Sequence, residues 1–146
     1  MKSEFSPKSA RWMLVDDDDG IREPIAKLLA AIAGVEVASF SSGAAALSAF
    51  MAAPDTFEFV VSDLDMPGMS GIEFCRRLKL VQPRLKVLLA TGSGVITPSE
   101  ARSYGFCGLI AKPFSVGTLR GALTDAAALD NHQPDQAGTA PVCIAA

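Results

Sequence analysis

The sequence predicts an α/β domain in which five parallel strands are covered by helices on both faces. Along 146 residues, short apolar runs alternate five times with stretches whose apolar residues recur at helical spacing. The runs are apolar at nearly every position, which is typical of parallel strands buried on both sides. A chain of this length, with 49% hydrophobic residues, can bury one full core. We therefore expect one doubly wound domain over residues 11–129, between a flexible arm at 1–10 and a disordered tail at 130–146.

The predicted strands are short apolar runs bounded by turn or acidic residues. They cover residues 11–15, 35–40, 57–62, 85–90 and 107–111. Each is followed by a helical pattern with its own start and stop signals, such as the cap at Thr97 with Glu100 behind it, or the stop at Gly34. The predicted helices run from Asp18 or Asp19 to residue 33, over 43–53, from Ser70 to 82, from Thr97 to 105, and from Val116 to about 129.

Pro24 conflicts with the first helical pattern. It lies several residues past the cap, where a missing N–H and a bulky ring cost up to about 3 kcal/mol in a helix interior. We therefore expect the first helix to start late or to bend at Pro24.

Bulk composition excludes several classes of function. A net charge of -3 and a pI near 5.1 disfavour nucleic acid and anionic membranes as partners. No signal peptide and no membrane-spanning run is found, so we expect a cytoplasmic protein. The single histidine, His132, lies in a polar stretch, which excludes a Ser-His-Asp triad and a histidine-based metal site. Cys75 and Cys107 fall in apolar segments and lack CxxC spacing, so we expect inert core thiols.

Polar residues follow four of the five predicted strands at their carboxyl ends. The first strand ends at Asp16 and Asp17, the third at Asp63, the fourth at Thr91 and the fifth at Lys112. In open parallel sheets these ends meet at one edge, where ligands bind. We therefore expect the five side chains to form one site.

The residue types of this set suit phosphoryl chemistry. Neighbouring carboxylates repel one another unless a cation intervenes, and carboxylate oxygens are the ligands that Mg²⁺ prefers. Asp63 can act as a nucleophile that forms an aspartyl phosphate, while Lys112 and the metal stabilise the transferred group. Each feature also has an ordinary structural interpretation: the acids at 16–19 as a solvated helix cap, and the Asp-Met-Pro-Gly segment at 65–68 as a turn. Their common position at strand ends favours a site.

Four motifs resemble the receiver domain of bacterial two-component response regulators. They are MLVDDDDGIR, VVSDLDMPGMSG, LLATGS and IAKPF, found in the family's order between residues 11 and 129. The resemblance implies a flavodoxin-like (βα)5 fold with strand order 2-1-3-4-5. It also implies Asp63 as phosphoacceptor, a Mg²⁺ site formed by Asp16, Asp17, Asp63 and the backbone carbonyl of Asp65, Thr91 as switch hydroxyl, Lys112 as phosphate-pairing lysine, and a cis Lys112-Pro113 bond.

The resemblance further implies how such a switch works. A sensor histidine kinase or histidine phosphotransfer protein would supply the phosphoryl group in trans, and a downstream protein would bind the face formed by the fourth helix, fifth strand and fifth helix. Such a protein is a phosphoacceptor rather than an enzyme, with at most self-catalysed phosphorylation and dephosphorylation. A single-domain chain would act by protein contact or in a phosphorelay. Asp65 and Ser93 would flank the phosphoryl group. The cognate kinase, the target and a homodimer are left open.

One departure and two rival functions accompany this interpretation. Leu109 occupies a position where many receivers carry an aromatic switch residue, so the output face is expected to respond differently. The VVSDLD segment also fits a haloacid-dehalogenase-type phosphatase, but that family places Asp-x-Asp first and its acid pair last, opposite to the order here. A phosphorylation-independent binding module with the same fold is the second rival.

Overall fold

The computed structural model describes residues 11–92 and 96–136, and describes side chains up to residue 126. The arm at 1–10, Ser93 and the tail from residue 137 onward lie outside the described residues. Five strands, β1 (Arg11–Val15), β2 (Glu36–Phe40), β3 (Phe57–Asp63), β4 (Lys86–Thr91) and β5 (Gly108–Ala111), form one sheet. All pairings are parallel and the order is β2-β1-β3-β4-β5. The predicted fold and strand order are confirmed.

Five helices connect and follow the strands. They are α1 (Asp19–Ala33), α2 (Gly43–Ala52), α3 (Gly71–Val81), α4 (Pro98–Ser103) and α5 (Val116–Gln136), with a short 3-10 helix at Pro54–Thr56 that the sequence pattern did not predict. The predicted capping box is present in α4, where Thr97 and Glu100 bond each other's backbone N–H groups. None of these helices is both long and apolar enough to cross a bilayer.

The core forms two layers because successive strand residues face opposite sides of the sheet. Met13, Val60 and Val87 pack under α2, α3 and α4, whereas Leu14 and Val61 pack under α1 and α5. This two-sided burial explains why the strands are apolar at consecutive positions. Both layers end at the carboxyl edge of the sheet, where the polar residues begin.

Two predictions about helix ends are corrected. Helix α1 does not start late, because Asp18 caps it through the N–H of Gly20 and Pro24 lies inside it, while the alternative of a bend at Pro24 stays a prediction. Only one intrahelical bond is lost at Pro24, and the packing of Ile25 and Leu29 against the sheet holds the helix. Helix α5 continues to Gln136, so residues 130–136 of the predicted tail are helical, since extending a formed helix costs less than starting one, although Pro134 removes one N–H donor there.

The two described cysteines lie in the interior, as expected. Cys75 is fully buried and Cys107 is half-buried. Burial raises the pKa of Cys75 to about 12 and that of Cys107 to about 11. Both thiols therefore stay protonated at neutral pH, which makes them poor nucleophiles.

Candidate acidic phosphoacceptor site

Three of the predicted acids come together at the carboxyl edge of the sheet. Carboxylate oxygens of Asp16, Asp17 and Asp63 all lie within 4.8 Å of one another. Asp16 and Asp63 are buried, with 2% and 8% exposure, whereas Asp17 is exposed. They meet because β1 and β3 are hydrogen-bonded neighbours whose carboxyl ends coincide, with Val15 opposite Ser62.

Lys112 links the two buried acids. Its Nζ lies 2.9 Å from Oδ2 of Asp16 and 3.4 Å from Oδ1 of Asp63, and the lysine side chain is 14% exposed. Burial by itself lowers the pKa of Lys112, but the hydrogen bond to Asp16 and the charges of Asp16 and Asp63 outweigh it and raise that pKa. Lys112 is therefore a fixed positive charge inside the site. The Lys112-Pro113 peptide bond is cis, as predicted.

Asp63 is oriented by its surroundings. Its Oδ1 accepts the N–H of Leu64 at 2.8 Å, and the hydroxyl of Ser62 donates to its backbone carbonyl at 2.9 Å. Burial raises the pKa of Asp63, Lys112 opposes this, and the charge of Asp16 adds to it. The carboxylate is thus held in one direction in surroundings that favour a partner cation.

The loop after β3 passes close to α3 only because residue 71 is glycine. A Cβ at Gly71 would collide with the carbonyl oxygen of Asp63, and the Gly71 N–H donates to the carbonyl of Leu64 at 2.8 Å. Gly68, with φ of 86°, supplies the left-handed conformation of the turn between them. The sequence predicts Gly68 in a turn and Gly71 at the start of the third helix, but nothing in it indicates the contact with Asp63.

Thr91 and Asp65 occupy different positions relative to the acids. Thr91 is the last residue of β4, is 4% exposed, and accepts the N–H of Lys112 through its carbonyl at 2.8 Å. Asp65 is exposed in the loop after β3, and its carboxylate is not part of the three-acid group. The structure therefore joins Asp16, Asp17, Asp63 and Lys112 directly and places Thr91 beside Lys112, but leaves the Asp65 side chain outside.

Arg22 and Ser62 also bond the site, and sequence reasoning missed both. Arg22 contacts the carbonyl of Asp16, and Ser62 contacts the carbonyl of Asp63. The three-residue spacing of Asp19 and Arg22 on a helix is a signal that could have predicted their ion pair. Nothing in the spacing indicated that Arg22 also reaches back to the end of β1.

The acid group fits a hard divalent cation. Three carboxylates face one ammonium, so negative charge is in excess. Ligands on opposite sides of Mg²⁺ lie about 4.2 Å apart, since each sits about 2.1 Å from the ion. Adjacent ligands lie only about 3 Å apart, so the three acids, whose oxygens lie within 4.8 Å of one another, would move closer together around a bound ion.

The chain is also similar to known proteins. Residues 13–124 match the family model for the response regulator receiver domain. The C4-dicarboxylate transport transcriptional regulatory protein DctD of Rhizobium meliloti is 37% identical over 107 residues, which is 73% of this chain and 23% of that protein. The response regulator receiver protein CpdR of Brucella abortus is 31% identical over 116 residues, covering 75% of this chain and 89% of that protein.

Solved structures give the same result. A response regulator receiver domain protein from Clostridium thermocellum matches with a TM-score of 0.73 and 29% identity, covering 80% of this chain and 93% of that one. The chemotaxis response regulator CheY4 of Vibrio cholerae matches with a TM-score of 0.69 and 30% identity, covering 80% and 98%. The chain belongs to the response regulator receiver domain family, whose members are signalling switches of two-component systems. It spans 23% of the length of each of the first two curated relatives and 54% of the third.

Proposed function

We propose that the domain is a phosphoacceptor switch in which Asp63 receives a phosphoryl group from a phosphohistidine of a sensor histidine kinase or histidine phosphotransfer protein. The single observation that carries this proposal is the meeting of Asp16, Asp17 and Asp63 in one group, with the ammonium of Lys112 on Asp16 and Asp63. Asp63 attacks phosphorus, the P–N bond to the donor imidazole breaks, and a P–O bond to the carboxylate forms. The released imidazole keeps its electron pair and takes up a proton.

The residues of the site divide this work. Asp16, Asp17 and Asp63, together with the backbone carbonyl of Asp65, would hold Mg²⁺, which when bound neutralises charge on the transferred phosphoryl group. Lys112 adds a second positive charge at fixed position. The Leu64 N–H holds Asp63 in the orientation for attack.

The donor docks beside the acids. An open groove of about 570 Å³ runs along α1 to the loop after β5, and we call it the donor groove. It is lined by Ile21, Pro24, Ile25, Leu28, Gly92, Lys112, Pro113 and Phe114. Since Lys112 belongs to both the groove and the site, an apolar helix seated there would bring its histidine to Asp63. Pro24, which costs α1 a hydrogen bond, contributes apolar surface to this groove.

The output surface lies along β5, the strand that leads into Lys112. A second groove of about 670 Å³ lies between α4, β5 and α5, and we call it the output groove. It includes Arg102, Leu109, Ala111, Gly117, Gly121 and Asp125. Phosphorylation draws the Thr91 hydroxyl toward the new oxygens and, through the ends of β4 and β5, shifts the shape of this groove toward one that a downstream protein binds.

Acetyl phosphate and beryllofluoride test the phosphoacceptor. With Mg²⁺, the wild type is expected to gain one phosphoryl mass and to bind beryllofluoride, and Asp63→Ala to do neither. Asp55→Ala, an exposed acid on the 3-10 helix, is the matched control and should behave as wild type. Asp65→Ala should still take up phosphate, because its backbone carbonyl is retained. A wild type that gains no mass, or an Asp63→Ala variant that does, would show that the proposal is wrong.

The donor groove has a separate test. Phe114→Ala is expected to slow phosphoryl transfer from a phosphorylated histidine kinase while leaving uptake from acetyl phosphate unchanged, because the small donor needs no docking surface. Equal loss with both donors would contradict the assignment of the groove. Rapid turnover of small phosphate esters would instead favour a phosphatase, which the order of the motifs and the family match oppose.

A further inference from the structure

Arg22 connects the first turn of α1 to the end of β1. Its Nη1 donates to the backbone carbonyl of Asp16 at 3.0 Å, and its Nη2 lies 2.7 Å from Oδ1 of Asp19. The arginine side chain is only 21% exposed, although the carboxylate that it pairs with is 83% exposed. The guanidinium is thus turned inward toward the acid loop, and Asp19 holds its outer edge.

The contact completes the bonding of Asp16. The N–H of Asp16 donates to the carbonyl of Phe40, and its Oδ1 accepts the N–H of Asp18 at 2.9 Å. Its Oδ2 accepts Lys112. The carbonyl is the remaining polar group of this buried residue, and Arg22 supplies its donor.

That carbonyl belongs to the peptide that joins Asp16 to Asp17. Because a peptide unit is planar, the direction of the carbonyl fixes where the Cα of the next residue lies. Asp17 is the exposed member of the acid group, and within residues 11–92 and 96–126 its carboxylate has no hydrogen bond or ion pair that would hold it. Its place in the group therefore depends on its backbone.

We propose that Arg22 is a positioning residue for the Mg²⁺ site: it orients the Asp16–Asp17 peptide and so keeps the Asp17 carboxylate within reach of Asp16 and Asp63. This role rests on the proposed function. The positioning role and the charge of Arg22 predict opposite changes in Mg²⁺ affinity when Arg22 is removed. A guanidinium near a cation site repels the cation, so as a charge alone its removal strengthens Mg²⁺ binding. As a positioning residue, its removal weakens Mg²⁺ binding.

Isothermal titration of the full chain with Mg²⁺ alone measures this sign. Arg22→Ala is expected to raise the Kd for Mg²⁺ about 10-fold, the lower end of the effect of residues that orient metal ligands. Arg22→Lys should give an intermediate Kd, because an ammonium retains one donor but cannot bond the Asp16 carbonyl and Asp19 as a fork. Arg76→Ala is the matched control: this arginine is exposed on α3 and pairs with Glu73, and its removal should leave the Kd unchanged.

Thermal unfolding of each variant separates positioning from general damage. We expect Arg22→Ala to remain folded at the titration temperature. If it does not, Arg22→Gln, which keeps the aliphatic stem without the charge, is expected to show the same weaker binding. An unchanged or tighter Kd in the folded Arg22 variant, with normal binding by the wild type, overturns the role of Arg22 and leaves the phosphoacceptor intact. A wild type that binds no Mg²⁺ overturns both.

Discussion

The acid site and the output groove meet at the end of β5, where Ala111 lines the groove and Lys112 contacts the acids, yet they are built in opposite ways. In the acid site, Asp16 and Asp63 are buried and are held by hydrogen bonds of 2.8 to 3.0 Å from Lys112, Leu64, Arg22 and Ser62. The output groove is lined largely by small side chains, such as Ala111, Gly117 and Gly121, with charged residues only at Arg102 and Asp125.

The proposed function accounts for this difference. Phosphoryl transfer requires reacting groups held in place before the reaction, because reorganisation adds to the barrier. A surface that changes shape must instead have two arrangements of similar free energy, which dense hydrogen bonding would prevent. Four substitutions test the contrast, from the largest expected effect to the smallest.

Gly71→Ala tests how tightly the acid site is packed. The added methyl group would collide with the Asp63 carbonyl, so the loop after β3 must move, and we expect a loss of about 3 kcal/mol in the free energy of unfolding. Urea unfolding measures it. Beryllofluoride binding should weaken in the folded fraction, and a variant as stable as the wild type would show that the contact is not rigid.

Lys112→Ala tests the fixed charge of the site. Removal of the ammonium that contacts both buried acids should slow phosphoryl uptake from acetyl phosphate about 100-fold. Mg²⁺ affinity should not fall, because the lysine competes with a cation for Asp16. Intact mass and titration calorimetry give the two values, and Lys27→Ala, exposed on α1, is the control. Normal uptake would exclude an electrostatic role for Lys112.

Gly121→Ala is the same type of substitution, placed in the output groove. We expect it to change the free energy of unfolding in the direction opposite to that of Gly71→Ala. A Cβ at Gly121 meets no atom within 4 Å, and alanine favours a helix interior. We expect the free energy of unfolding to rise by about 1 kcal/mol. Destabilisation in the same urea experiment would mean that the groove is more tightly packed than its open volume indicates.

Leu109→Tyr should have the smallest effect on chemistry. Leu109 packs against the core layer under α2, α3 and α4, and β4 separates its strand from β3, which ends at Asp63, so phosphoryl uptake should stay unchanged within about twofold. The tyrosine ring is larger than the leucine side chain and should alter the output groove. NMR chemical-shift changes in α4, β5 and α5 upon beryllofluoride binding would report this. A large change in uptake would mean that the two regions are coupled more strongly than their construction indicates.

The sequence by itself determined the fold and the principal residues of the site. Apolar runs and helical spacing are local properties, so they predicted the five strands and their alternation with helices. The carboxyl ends of parallel strands share one edge, so Asp16, Asp17, Asp63 and Lys112 were predicted to meet, and they do. The resemblance to receiver domains gave the strand order and the cis Lys112-Pro113 bond.

Tertiary structure alone decided how that site is held. Three features depend on tertiary contacts, which periodicity does not record. They are the inward orientation of the Arg22 side chain, the hydrogen bond from the Ser62 hydroxyl to the Asp63 carbonyl, and the close approach of Gly71 to that carbonyl. The same holds for Pro24, since local propensity predicted a late start or a bend, and packing against the sheet kept the helix from Asp19 onward. The residues of the proposed chemistry can be found in the sequence because they directly follow the strands. Their orientation depends on neighbours that only the folded chain brings into contact.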